Sequence, residues 1–476
     1  MVGTPTRGKL QERLCSIYMV ECNIVELVGC RGKEMDEKAL VHEFSMISGE
    51  ANVEFHPEGF QGYAVDGKTP RIVISPGTVG ELSRILRLCH ETGAAVIPWG
   101  GGTKISLGNI PRACDVVVRL DRFNRIVEHD DANLTATVEA GVRLADLQRT
   151  LGERRQFLAV DAPFPERSTI GGIVSTNTTG PRRLAYGGVR DLVIGIKAVL
   201  PTGEAIKGGG KVVKNVAGYD MCKLYVGSLG TVGIITEVTF KMAPLPEEEK
   251  TLFAWGPNRE RAFQLVDLLL ASKLLPSAVE VANPAAANAL CSILGIPGIT
   301  DSYAVLVATA GFRESVDRHI RDLRGMAAEA GLAAEVLEED QHQRVWDAVR
   351  NFGYEGATLS VKVSVPIAAV PAAFALLSEI AEALPDVRIL SHAASGILLV
   401  TATPADHALA EHYVLRVQEE VQRLAGHAVV LSAPLELKAH LDVWGRPPSG
   451  IQLMRRLKEQ FDPKGILNPG RFVDRL

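Results

Sequence analysis

The strongest local signal for chemistry is the run Pro98-Trp99-Gly100-Gly101-Gly102-Thr103-Lys104-Ile105-Ser106-Leu107-Gly108. Consecutive glycines permit φ > 0 and turn successive N–H groups toward one anion, so the loop suits a pyrophosphate, with Thr103 and Ser106 adding hydroxyl donors. It is not a Rossmann fingerprint, because Ile105 stands where the third glycine should be. Nor is it a P-loop, because no Gly-Lys-Ser/Thr closes it. Spacing alone leaves a purely structural turn open. Four more clusters follow along the chain: Pro163 to Asn177, with Ser168, Gly171, Gly172 and Ser175; Tyr186 to Asp191; Gly208 to Asp220; and Gly227 to Thr236.

No other catalytic constellation competes. There is no His-Glu-x-x-His, no Gly-x-Ser-x-Gly and no iron–sulfur cysteine spacing. The 7 cysteines lack any C-x-x-C pair, and even the close set Cys15, Cys22 and Cys30 has no ligand partner, which fits a reduced, cytosolic chain. The carboxylate pairs at Asp130-Asp131 and Glu247 to Glu249 read as solvated turns, and Arg182 and Arg183 as solvated surface. Lys211 and Lys214 are open between a structural and a ligand role. His392, beside small apolar residues, reads as a packed core histidine.

These residues need elements to position them. With 476 residues, 46% hydrophobic and 22% charged, the chain is expected to form two or three globular domains. Lys plus Arg number 51 against 56 acidic residues, and that lack of a basic excess argues against nucleic acid as a partner. The most apolar stretch, Ala262 to Leu275, is broken by Asp267 and Lys273, so no transmembrane segment is expected, and no export signal is evident. Residues 1–50 read as an extension without clear periodicity. From 51 to 246 the texture is short strands, glycine turns and a few helices. A capping box at Thr78 and Glu81 opens a helix whose buried face is Leu82, Ile85, Leu86 and Cys89, with Gly93 as its stop. Residues 247–432 alternate strand and helix, which predicts an α+β sandwich with helices on one face. Residues 433–476 end in the rigid turn Asp462 to Gly470, which should pack on something.

Taken together and in this order, the glycine segments, Tyr63 to Gly67 and the C-terminal turn resemble the vanillyl-alcohol-oxidase superfamily, in particular glycolate-oxidase-type FAD-linked oxidases. The resemblance implies an α+β fold, with a vanillyl-alcohol-oxidase-type FAD-binding domain and a second, ferredoxin-like α+β substrate-side domain. It implies that Pro98, Trp99, Gly100, Gly101, Gly102, Thr103, Lys104, Ile105 and Ser106 hold the FAD pyrophosphate. Pro163, Ser168, Gly171, Gly172, Ser175 and Asn177 would line the dinucleotide, Ile235 would touch it through its backbone, and Asn468 would approach the flavin from the C-terminal turn. Relatives with covalent flavin carry a His in the first loop. Thr103 takes that place, so the FAD should be non-covalent.

Metal-dependent relatives carry His-x-Gly-Asp-Gly-Asn-Leu-His where this chain has His392 to Leu399, and Leu399 cannot be a ligand, so no metal is expected. The histidine of the family's Glu-His-Gly-Ile-Gly segment is also missing near Ser432 to Lys438, which leaves the catalytic residues unassigned. The resemblance therefore implies an FAD-dependent subunit that oxidises a small 2-hydroxy acid, glycolate to glyoxylate, beside a homologous catalytic flavoprotein subunit and an iron–sulfur subunit. Its expected location is the cytoplasm, or the periphery of the inner membrane. The alternatives are a self-sufficient dehydrogenase of D-lactate or a similar acid, and a non-catalytic FAD-containing scaffold.

Overall fold

The computed structural model describes residues 37–210 and 219–476, except 297, 298, 300, 357, 382, 383, 385 and 405. Cys15, Cys22, Cys30, Lys211 and Lys214 therefore lie outside the described residues. Helix Glu37–Ser48, which the sequence reading did not assign, buries Leu40 and Phe44 in the first core.

Two sheets share that core. The first is β1 (Val53–Phe55), β2 (Ile72–Ile74), β4 (Val116–Arg119) and β3 (Val96–Trp99), in that spatial order. The second runs β5 (Ile126–Asp130), β6 (Thr135–Glu139), β10 (Ile234–Lys241), β8 (Val193–Val199) and β9 (Ala205–Gly209). A two-residue pair, β7 (Gln156–Phe157) with β11 (Ala243–Pro244), closes this module. Helix Val79–Thr92 begins and ends as read: Thr78 accepts from the Glu81 amide, and Gly93 takes the left-handed C-cap. Glu81 reaches back one residue further than a capping box requires, accepting from the Gly77 amide at 2.8 Å.

The second module is one antiparallel sheet of eight strands. These are β12 (Glu248–Gly256), β13 (Ala278–Ala282), β14 (Tyr303–Gly311), β15 (Ala333–Leu337), β16 (Leu359–Ser364), β17 (Arg388–His392), β18 (Ile397–Ala402) and β19 (His427–Ser432). Their spatial order, β15-β12-β14-β13-β17-β18-β16-β19, is two ferredoxin-like halves joined edge to edge.

The prediction of helices on one face is corrected. Helices Arg259–Ala271, Arg313–Glu329, Val370–Ala381 and His407–Arg423 cover one face, while Pro284–Leu294 and Glu339–Asn351 cover part of the other. The two opposite-face helices were missed because one is alanine-rich and the other mostly polar. The uncovered remainder of that face, with Leu399, Val429 and Leu431, meets Leu107 and Leu229 of the first module. Alternation along β16 decides what lies there: Val361 and Val363 enter the helix-covered core, so Lys362 must point the other way.

Glu247 to Glu249 do not form a solvated turn. They lead into β12, and burial raises the Glu249 carboxyl above its ordinary range. Arg182 is likewise no solvated surface residue, since its Nε pairs with the buried Asp161 at 2.8 Å.

The C-terminal turn packs as expected. Asn468 donates its amide to Val96 and receives the chain back onto β3. Lys458 Nζ, held between Asp462, the Thr231 carbonyl and the Leu467 carbonyl, pins the turn to the first module. No helix among the described residues is long and apolar enough to cross a membrane.

Candidate functional site

Strand β3 delivers the chain into the glycine loop, where Gly102 has φ 68°. The loop is packed tightly against residues 167–169. A Cβ on Gly101 would lie 1.7 Å from the Arg167 carbonyl oxygen, and one on Gly100 2.2 Å from Thr169 Oγ1. The amides of Gly101, Gly102, Thr103 and Lys104 donate to no partner among the described residues. Thr103 Oγ1 is 3.0 Å from Ser168 Oγ, which donates to the Pro163 carbonyl at 2.6 Å. These hydroxyls thus tie two glycine segments together, leaving the backbone amides as the free donors.

Two buried cations hold the loop from behind. Lys438 Nζ donates to Asp66 at 2.7 Å and to the Ser106 carbonyl at 2.5 Å. The Arg471 guanidinium donates to the carbonyls of Ile105 and Leu107 and, at 3.1 Å, to Asn468 Oδ1. Burial lowers Arg471 to about 10 and Lys438 below the ordinary lysine range. Neither was found from sequence, because their carbonyl partners lie more than 300 residues away.

Three spaces that share lining residues surround the loop. A groove of about 520 Å³ is bounded by Gly100, Gly101, Asn124, Gly141, Arg143 and Thr169. It meets a narrow cleft of about 70 Å³ formed by Pro98, Gly100 to Ile105, Gly172, Ser175, Asn468 and Arg471. Beyond Lys104, Thr176 and Leu229 opens a cavity of about 530 Å³ between the loop and the bare face of the eight-stranded sheet. Pro163 and Asn177 line this cavity. Wide groove, constriction at unused amides and wide cavity match an extended dinucleotide with its pyrophosphate at the middle. Two buried polar atoms beside this path, Thr169 Oγ1 and Asn177 Oδ1, have no partner among the described residues.

The expected residues divide accordingly. Pro98, Gly100, Gly101, Gly102, Thr103, Lys104, Ile105, Gly172, Ser175 and Asn468 line the cleft, and Pro163 and Asn177 the cavity. Trp99, Ser106, Ser168, Gly171 and Ile235 line neither. Trp99 stacks edge-on against Tyr63 at 5.1 Å, Gly171 packs on Ala140, and Ile235 is a buried member of β10.

The cavity has a marked electrostatic character. Lys104, Arg350, Lys362, His392, His427 and Arg446 line it, and no carboxylate does. Burial lowers Lys104 to about 7. Burial, then the Arg183 charge, lowers Lys362 below the usual lysine range. His392 is buried, as a core histidine would be, but it is not packed among apolar groups alone. Its Nδ1 lies 2.7 Å from Glu280, and its ring borders the cavity. A β13 carboxylate bonded to a β17 histidine had no sequence signal, since 112 residues separate them. Among the described residues no group of three or more His, Cys, Asp or Glu side chains is placed to hold a metal ion.

Comparison with known proteins identifies the family. Residues 70–209 match the family described as an FAD binding domain, and residues 245–433 and 438–472 that of the FAD linked oxidases, C-terminal domain. The glycolate oxidase subunit GlcD of Bacillus subtilis (strain 168) is 31% identical over 92% of this chain and 97% of its own. A D-lactate dehydrogenase of Anaerostipes hadrus is 29% identical over 90% of this chain and 95% of its own. A D-2-hydroxyglutarate dehydrogenase of Stutzerimonas stutzeri (strain A1501) is 26% identical over 92% and 99%. Among solved structures, p-cresol methylhydroxylase superposes with TM-score 0.71 at 15% identity, covering 92% of this chain and 97% of that one. Alkyldihydroxyacetonephosphate synthase gives 0.69 at 17%, covering 92% and 86%. At such identities the structural likeness speaks for the fold.

Proposed function

We propose, from the premise that this chain belongs to the FAD-linked oxidases, that it is the flavoprotein subunit of a complex oxidising a small 2-hydroxy acid, glycolate being the first candidate. The observation that carries the substrate class is the cavity continuous with the dinucleotide path: six cationic or imidazole side chains line it and no carboxylate does. Such a wall favours an organic anion. The named relatives, a glycolate oxidase subunit and a D-lactate dehydrogenase, support the same class.

The free amides of Gly101 to Lys104 would hold the FAD pyrophosphate, with Thr169 and Asn177 supplying polar contacts on either side. FAD, bound without a covalent link, supplies two-electron acceptance. The chain's own residues do the remaining work. With Glu280 ionised, His392 Nδ1 would donate to it and Nε2 would be left as an acceptor, the arrangement that lets an imidazole take a hydroxyl proton. Leu107, Leu229, Leu399, Val429 and Leu431 give the same cavity its apolar wall. The proposed partners are a homologous flavoprotein and an iron–sulfur subunit that carries the electrons away, with the complex in the cytoplasm or at the inner membrane periphery.

Purified holoprotein, assayed with glycolate and D-lactate and an artificial acceptor, tests the reading. Turnover should be slight for the chain alone and should rise on co-expression with the partner subunits. The Glu280–His392 pair favours a second reading, a self-sufficient dehydrogenase, and full turnover by the chain alone would select it. Absence of turnover in both settings would leave only the scaffold.

A further inference from the structure

Lys362 occupies an unusual place. In the β16 register it stands directly opposite Leu399 of β18 on one side and Val429 of β19 on the other. Leu390 of β17 continues the same row beyond Leu399. The row is apolar except for this one ammonium; Lys362, Leu399 and Val429 line the cavity, while Leu390 lies under the helices that cover the rest of this face.

The other cations around the cavity have something else to do or lie elsewhere. Arg350 is paired through one Nη with its helix neighbour Asp347 at 2.9 Å, although its buried Nε finds no partner among the described residues, and His392 is paired with Glu280. Lys104 sits over the Tyr354 ring, 5.4 Å from its centroid, on the glycine-loop wall. His427 and Arg446 are exposed at the rim. Lys362 has no hydrogen-bond or ion-pair partner among the described residues. An ammonium held between leucine and valine without a counter-charge costs free energy, which a bound anion would offset. Lys362 is only half-buried, so a ligand in the cavity can reach it, and a charge-assisted ammonium–carboxylate contact is stronger than a neutral hydrogen bond.

We propose that Lys362 is the carboxylate-binding residue of this cavity, fixing a small organic acid on the sheet face by one charge-assisted hydrogen bond. The proposal deepens the 2-hydroxy-acid reading and rests on it for the identity of the acid. The row below contains Glu280, His392, Ile397, Ser364 and His427 in continuous register. Strands lie about 4.8 Å apart and like-facing residues about 7 Å apart along a strand. Lys362 and His392 are therefore two strands and one row apart on the same face. An acid anchored at Lys362 would lie in the cavity that His392 also lines.

Oxalate titrated calorimetrically into the FAD-loaded full-length protein provides the test, with Lys362→Met and Lys362→Arg compared to the parent. Oxalate should bind the parent, at least tenfold more weakly to the Met variant, and within about threefold of the parent to the Arg variant. The Met variant should keep its FAD content and have an equal or higher Tm, which a structural role for the lysine would not allow. Equal oxalate affinity in parent and Met variant, or no binding to the parent, would overturn the proposal. Oxalate binding that depends on Lys362, in a protein whose flavin no 2-hydroxy acid reduces, would uphold the anion subsite and sink the substrate-class reading instead.

Discussion

His392 Nδ1 stands 2.7 and 2.8 Å from the two oxygens of Glu280, on paired strands β17 and β13, and the carboxylate is wholly buried. Burial raises the Glu280 carboxyl and the histidine beside it opposes that rise. When Glu280 is ionised the pair is directed, because a carboxylate that can only accept fixes the proton on Nδ1 and leaves Nε2 to act.

Replacing Glu280 with Gln should therefore change rate more than binding. A Gln amide can donate to Nδ1 and select the wrong tautomer. Steady-state kinetics should show kcat reduced on the order of 10²–10⁴-fold with KM little altered.

The same pair should register in stability. His392→Ala strands a buried carboxyl, so unfolding should be easier by about 3 kcal/mol, whereas His392→Leu with Glu280→Leu should cost much less. Thermal scans of the two variants check the order, and the reverse order would contradict the pairing.

Glycine substitutions should separate the loop's folding from its ligand. A Cβ at Gly101 collides with the Arg167 carbonyl at 1.7 Å, so Gly101→Val should lose soluble protein along with FAD. At Gly172, which lines the cleft, a Cβ would meet only Thr169 Oγ1, at 3.2 Å. Gly172→Ala should keep its Tm within a few degrees yet bind FAD about tenfold more weakly or worse. Acid precipitation of the parent should release all flavin into the supernatant, and colour retained on the pellet would refute non-covalent binding.

Lys104 predicts a pH dependence in the FAD-free protein. Its folded pKa is lowered to about 7 from 10.5, so between those values the unfolded chain binds more protons than the folded one. Stability from this group accordingly rises as pH increases from about 7 toward 10. Denaturant titrations should show that slope in the parent and a flatter one in Lys104→Met.

The C-terminal turn should be needed for the cleft. Lys458→Met leaves Asp462 buried without its cation, which should cost about 3 kcal/mol and loosen the segment bearing Asn468. Limited proteolysis should then cut near residue 462, with FAD lost in parallel.

Much of this was legible in the sequence because it is local. Glycine clusters announce positive φ and exposed amides, the Thr78-to-Gly93 helix announces its own caps, and the apolar alternation of β16 and the short apolar run of β18 mark strands whatever they pair with. The order of those segments also pointed to the family. What the tertiary structure alone decided is which polar groups meet and which are left over. Gly101 is constrained by a carbonyl 66 positions away, Arg471 reaches loop carbonyls from 366 positions on, and Glu280 finds His392 only through sheet register. Lys362 reads in sequence as any strand lysine. Among the described residues it finds no partner, because the register sets it between Leu399 and Val429, on the part of the face that no helix covers.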